Sequence, residues 1–407
     1  MVSSRLRKGD SELLQTSKES DVSGIFKEYE DKKSGEKVFL VRDFIEVRIP
    51  LSHYRKLEKR YPKEYIVSIA EPRKVISHVT KRELVVVTRE SGIPLLGHAA
   101  FGLIDRGTNL IQVRCVTGCN LNCIFCSVDE GRRSRTRAAD YLVEPEYLAE
   151  KLKEIAEFKG KGVEAHIDGQ GEPLLYPYME ELLERISRIK EVEVISMQTN
   201  GTLLNDDRID MLEKYVTRIN LSISALDQKK ASRLAGIKYP LSRVLENAKM
   251  IAESKMDLLI APVWVPGYND DEIEKIIRFA LEIGAGKRYP PLGIQKYIPY
   301  RYGRKLKNVM SFREFYDRLV EWEKEYGVKL ILRPEDFGME KRPRIPQPIR
   351  KGERFRARLI AEGRMFGEKL AVVRDRVVTV RTDRKVGDFA TFEIVRTHDG
   401  IFLAEEV

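Results

Sequence analysis

"CNLNCIFCSVDEG" occupies residues 119–131 and holds three of the four cysteines of a 407-residue chain. The fourth, Cys115, stands just upstream, so every thiol falls between residues 115 and 126. A cluster this tight cannot staple so long a chain with disulfides; it points to metal or redox chemistry. Thiolates are the standard ligands of iron–sulfur clusters. The spacing of Cys119, Cys123 and Cys126 supplies three corners of a cubane, leaving the fourth iron open to a small molecule. The rival reading is structural zinc, with Cys115 as a fourth ligand. That spacing is unusual for zinc, and Cys115 alternates with Ile111 and Val113 as a buried strand thiol would. On the cysteines alone both readings stand.

Outward from the loop, strand-like runs alternate with helical ones. "LIQVRCV" precedes the loop, and "PEYLAEKLKEIAEF" (145–158) follows it. "GVEAHIDG", "EVEVISMQT", "VTRINLSIS", "MDLLIAPVWV" and "LGIQKYIPY" each lead into a helical stretch, with Asn269 or Asp270 a natural N-cap. "VKLILRP" offers a last strand. Six βα units predict an α/β fold, a partial (β/α)6 TIM-like barrel over residues 107–338, with chemistry at the C-terminal ends of its strands. His166 and Asp168, two apart on one strand, are candidates for proton transfer or for a structural pair.

Both flanks differ from this cadence. Residues 1–22 are polar and read as a flexible arm. Residues 23–106 carry the β-like runs "KVFLVRDFIEVRI", "EYIVSIA" and "ELVVVT", a small α+β domain without a chemical motif. Residues 339–349 begin a proline- and arginine-rich stretch and read as a linker. Residues 350–407 alternate as a small β-barrel does. Arg354, Arg356 and Arg358 fall on one strand face, with Arg350 and Lys351 just before them, and Arg132, Arg133, Arg135 and Arg137 follow the cysteine loop. The net charge of +10 favours an anionic partner, nucleic acid first. No apolar run approaches the roughly 20 residues that span a bilayer. The N-terminus shows no signal pattern, and we expect a cytoplasmic protein. Abundant Lys, Arg and Glu fit a thermophile.

"VRCVTGCNLNCIFC" resembles the first strand and cluster loop of the radical S-adenosylmethionine (SAM) superfamily. "DGQGEPLL" (168–175), "QTNGTLL" (198–204), "RINLSISALD", "VPGYNDDEI" and "KYIPYRYGR" resemble its later strand ends, in order. The resemblance spans about residues 108–335. It implies that Cys119, Cys123 and Cys126 bind a [4Fe–4S] cluster whose fourth iron SAM chelates. It sets Phe125 against the adenine and Gly171, Glu172 and Pro173 along the methionyl amino group. Thr199, Asn200, Ser222 and Ser224 would meet the carboxylate or ribose, and Ile298 and Pro299 would close over the adenine. It further implies reductive cleavage of SAM to a 5′-deoxyadenosyl radical, with an external electron donor. Residues 350–407 resemble a TRAM domain, an OB-like RNA-binding barrel, and the whole resembles archaeal radical SAM proteins ending in one. No cysteine follows Cys126, so an auxiliary C-terminal cluster is not expected. The resulting expectation is an enzyme that modifies a nucleotide in structured RNA, tRNA before rRNA. A protein or small-molecule substrate and a zinc-stabilised RNA-binding protein are the alternatives.

Overall fold

The computed structural model describes residues 26–407; the arm expected over residues 1–22 lies outside them. The N-terminal part is an antiparallel sheet of β1 (Phe26–Asp31), β2 (Glu36–Val41) and β3 (Ile45–Pro50), then, after α1 (Leu51–Leu57) and α2 (Lys63–Ile69), β4 (Lys74–Ser77) and β5 (Glu83–Val87). Arg42 and Asp43 both take positive φ, the backbone that a tight β2–β3 hairpin needs. "EYIVSIA", expected as β, lies largely in α2. Pro62 stands at its N-cap, and Ile66 and Val67 are buried, so tertiary burial outweighs β-propensity here.

The second sheet has the order β12-β11-β10-β9-β7-β6. Its members are β6 (Gly102–Asp105), β7 (Leu110–Arg114), β9 (Val163–Ile167), β10 (Val192–Thr199), β11 (Arg218–Leu221) and β12 (Asp257–Ile260). All neighbours are parallel except β6 with β7. Between them run α3 (Pro145–Lys159), α4 (Met179–Ser187), α5 (Asp206–Glu213), α6 (Gln228–Ala235) and α7 (Leu241–Glu253). A bridge from Ile260 to Leu292 carries the sheet on toward the short parallel pair β13 (Val263–Trp264) and β14 (Gln295–Lys296). Between these two strands lies α8 (Asp270–Glu282), and α9 (Phe312–Tyr326) follows them. Asn269 stands at the α8 N-cap, yet its side chain does not cap the helix. Instead it ties Val265 N, Ser224 O and Val263 O together at 2.7–2.9 Å. The strand expected at "VKLILRP" does not form: Glu323 Oε1 accepts from Leu330 N and Ile331 N instead of a neighbouring strand.

The expected boundary at residue 106 is crossed in both directions. β6 lies before it but pairs with β7, while β8 (Ala139–Val143), which follows the cysteine loop, joins the N-terminal sheet parallel to β5. The cysteine loop is therefore strung between the two sheets.

After α9 the chain runs over the strand bottoms as a pinned strap rather than a free linker. Asn109 N donates to Glu340 O, Arg342 N to Gly107 O, and Ile345 N to Asp105 Oδ2. Beneath it the buried Lys159 ammonium donates to Asp105 at 2.6 Å and to Pro343 O at 2.8 Å. The chain then closes a five-stranded barrel, β15 (Arg354–Glu362), β16 (Glu368–Val373), β17 (Arg376–Arg381), β18 (Phe389–Arg396) and β19 (Phe402–Glu406). Leu359, Phe392 and Phe402 are fully buried in its interior, each worth about 1.5–3 kcal/mol of burial. Backbone bonds from Val377 N to Leu96 O and from Phe402 N to Gly97 O fasten the barrel to the segment before β6.

Candidate functional site

The strand ends of the parallel sheet and the cysteine loop enclose a cavity of about 480 Å³. Cys119, Cys123 and Cys126 all line it; Cys115 does not, being fully buried at the end of β7. Cys115, the fourth ligand that the zinc reading calls on, lies outside the cavity that the other three thiols line. A four-iron cluster is larger and takes its thiolates from farther apart. Burial first and the neighbouring thiols second push Cys119 well up and Cys123 to about 12, and burial raises Cys126. Free thiolates are disfavoured there, and a bound metal centre would offset that cost. Leu121 N and Glu130 N donate to the sulfurs of Cys119 and Cys126 at 3.4 and 3.2 Å, contacts of the kind that tune a cluster's potential.

The loop is held by partners far away in sequence. Arg304, in the segment after β14, donates to Cys123 O and Glu130 O, both at 2.7 Å, and to Asp129 Oδ1 at 2.9 Å. Asn122 N and Ile124 N donate to the C-terminal carbonyls of α6. Asp129 Oδ2 accepts from Ser134 Oγ, Arg135 N and Thr136 Oγ1. Against burial, which pushes it up, these bonds and Arg304 hold Asp129 below the usual carboxylate range.

Of the residues expected to meet SAM, Phe125, Gly171, Glu172, Thr199, Asn200, Ser222, Ser224 and Ile298 line the cavity. Pro173 and Pro299 do not: Pro173 is buried in a short 3-10 turn (Pro173–Leu175), and Pro299 is exposed on the outside of its loop. Glu172 is 2% exposed and braces the next strand end. Its Oε1 accepts from Thr199 Oγ1 at 2.6 Å and Leu174 N at 3.0 Å, and its Oε2 accepts from Asn200 N at 2.7 Å. Burial raises its carboxyl in spite of those bonds, so an ammonium group is a suitable neighbour. Ser222 accepts from Gln198 at 2.7 Å, and Ser224 accepts from Val263 N at 3.1 Å. Both hydroxyl hydrogens remain available for a ligand.

Gly171 serves the backbone more directly than the ligand. At φ +152° it bridges to Gly118, whose carbonyl oxygen would lie 2.0 Å from an added Cβ. The close approach expected toward a bound molecule is thus, in the protein, an approach of the second strand end to the cluster loop. Gly171→Ala should lower stability by about 1–3 kcal/mol through overpacking and reduce iron per chain. Unchanged melting and iron content would refute this account.

His166 and Asp168 serve structure. Asp168 is held by Gln112 at 2.7 Å and Arg114 at 3.1 Å, His166 by Ser196 at 2.7 Å, and neither lines the cavity. Arg132, Arg133 and Arg135 are exposed and outside it, whereas Arg137 turns inward. There Arg137 donates to Val128 O and lies 3.3 Å from Glu130, which removes it from the surface group. Sequence reasoning missed Arg304, Gln198 and Tyr239. Tyr239 lines the cavity and donates to Asn200 O at 2.9 Å, but it belongs to no motif.

Residues 113–280 match the Radical SAM superfamily. The chain is 43% identical over 369 residues to the uncharacterized protein MJ0103 of Methanocaldococcus jannaschii, covering 84% of this chain and 85% of that one. The chain belongs to the radical SAM superfamily. It is also 30% identical over 253 residues to a probable GTP 3',8-cyclase of Pyrococcus abyssi, covering 61% of this chain and 75% of that one. Among solved structures it is similar to SuiB of Streptococcus suis, with a TM-score of 0.44 and 16% identity over 76% of this chain and 71% of that one. As a radical SAM protein it takes a [4Fe–4S] cluster and SAM as cofactors, and the three-thiol loop and polar strand ends fit them. When bound, they supply reductive SAM cleavage and hydrogen-atom abstraction. The chain's own part is to fix the loop through Arg304, to brace Asn200 through Glu172, and to wall the cavity with Phe125, Tyr297 and Tyr300. Among the described residues no helix is long and apolar enough to cross a membrane.

Proposed function

We propose that this radical SAM enzyme modifies a nucleotide in structured RNA, tRNA before rRNA, drawing its electron from an external donor. The observation carrying this reading is the closed C-terminal barrel, which resembles a TRAM domain and carries an exposed basic strand. Arg350, Lys351, Arg354, Arg356 and Arg358 are all exposed. Arg354 is engaged by Glu393 and Arg358 by Gly387 O, while Arg356 lies over the Phe389 ring at 5.5 Å, an arrangement suited to phosphate and base stacking. From the same barrel, Arg381 on β17 donates at 2.7 Å to Tyr302, on the loop after β14 whose Tyr297, Ile298 and Tyr300 line the cavity. Arg356→Ala is expected to weaken RNA binding about equally across sequences and to lower its salt slope by about one unit.

A second reading, chemistry on a free guanosine nucleotide, is favoured by the 30% identity to a probable GTP 3',8-cyclase. Reconstituted protein given reductant and SAM discriminates the two through its 5′-deoxyadenosine output. Stimulation by RNA from an organism lacking the enzyme supports the first reading. Stimulation by GTP and not by RNA overturns it in favour of the second.

A further inference from the structure

A second cavity, of about 590 Å³, lies between the cluster cavity and the C-terminal barrel. The two share Ser127, Val128 and Tyr300, so they adjoin at those residues. Its volume falls within the range of small-molecule sites. One wall is barrel, including Thr379 and Arg381 on β17, Arg396 on β18 and Phe402 on β19; the other is the loop after β14 and the segment around His98.

Its charges sort into those already committed and those that are not. Arg137 and Arg364 are bound to Glu130, and Arg364 also to Asp140. Arg381 is taken by Glu405 and Tyr302, and Glu368 accepts from Met365 N. His98 is neutral at physiological pH, since burial first and nearby arginines second push it down to about 3. Two lining cations remain, Arg301 and Arg396, for which no carboxylate partner is found among the described residues. Arg301 lies over the Tyr302 ring at 5.2 Å. The wall also holds an uncommitted acceptor: Gln170 Oε1 is buried and receives no hydrogen bond. Two free guanidiniums call for a phosphate-type anion. A buried amide oxygen and tyrosine faces call for a planar group bearing N–H donors.

We propose that this second cavity is the substrate chamber and that it takes a phosphorylated nucleoside unit, its phosphate on Arg301 and Arg396 and its base toward Gln170 and Tyr300. The inference rests on the radical SAM reading of a nucleotide substrate and adds where and how that nucleotide is held. The same chemistry is offered by a free nucleotide or by one nucleotide of an RNA.

The test is calorimetric titration of the reconstituted holoenzyme with the four ribonucleoside 5′-monophosphates and their nucleosides. At least one monophosphate is expected to bind about tenfold or more tightly than its nucleoside. Arg301→Ala combined with Arg396→Ala should erase that preference, and the paired lysine substitutions should restore part of it; iron content and melting temperature report whether each variant is folded. If no monophosphate shows the preference, or if it survives in the folded alanine variant, the proposal is overturned. An RNA oligonucleotide that displaces the bound monophosphate assigns the chamber to RNA. Monophosphate binding that RNA does not disturb keeps the chamber and overturns the RNA reading. RNA-stimulated 5′-deoxyadenosine formation that is unaltered in the alanine variant keeps the RNA reading and overturns the chamber.

Discussion

Cys123→Ala should strip the iron and bring SAM cleavage down to the level of buffer alone. The loop offers three thiols to one cavity, and none of the other cysteines can stand in: Cys115, the remaining one, is fully buried outside it. Two thiolates leave a cubane with two iron corners unligated, so the loss falls on the cluster itself and not on a contact around it. Cys115→Ala is the matched control. It removes a core thiol from a strand end and should leave iron per chain unchanged, as measured by iron quantification and the visible absorption of the reconstituted protein. Equal iron loss in both variants would mean that Cys115 is a ligand after all, and the three-thiol account would fall.

The second large effect is expected at Arg364, more than 200 residues from the loop it supports. The residue is 3% exposed and sits where three parts of the fold meet. It pairs with Glu130 on the cluster loop, with Asp140 on β8 at 2.7 Å, and with Ala139 O. Against burial, the two carboxylates hold its guanidinium above the usual range, while burial lifts Glu130 despite its arginine neighbours. Arg364→Ala takes the nearest cation from both buried acids, leaving Glu130 to Arg137 and Asp140 to Arg82 at 3.9 Å, a change worth up to about 3–5 kcal/mol of stability. Because Glu130 N donates to Cys126 Sγ, the disturbance should also reach the cluster. Chemical denaturation should show the stability loss, and the cluster's electron paramagnetic resonance spectrum should change in whatever protein remains folded. Arg364→Met tests the logic further: an unaltered midpoint and spectrum would show that the barrel does not support the loop through this residue.

Much of the site was legible because radical SAM residues announce themselves locally. The cysteine spacing, and the polar residues at 171–172, 199–200 and 222–224, each follow a strand whose period is visible in the sequence, and all of them line one cavity. Pro173 and Pro299 stand outside the cavity lining for a simple reason: a strand-end motif identifies a loop but not which of its side chains turn inward. Arg304 and Arg364 were illegible because their partners lie roughly 180 and 230 residues away and no period links them. β8 was missed on the same ground. "ADYLV" is buried along its whole length, and nothing local says that it belongs beside β5. "EYIVSIA" went the other way, its β-branched residues outweighed by the burial of one helical face.

The pairing of Arg364 with Glu130 also has a consequence for the order in which the chain is made. A ribosome adding about 5–20 residues per second needs about ten to fifty seconds to travel from Cys126 to Arg364. Throughout that interval the cysteine loop and its near neighbour Arg137 have been made while Arg364, the second cation on Glu130, and the rest of the barrel have not. The three thiols thus stand on an unfinished scaffold for that interval, and the loop gains its Glu130–Arg364 pair only once the barrel's first hairpin has been made.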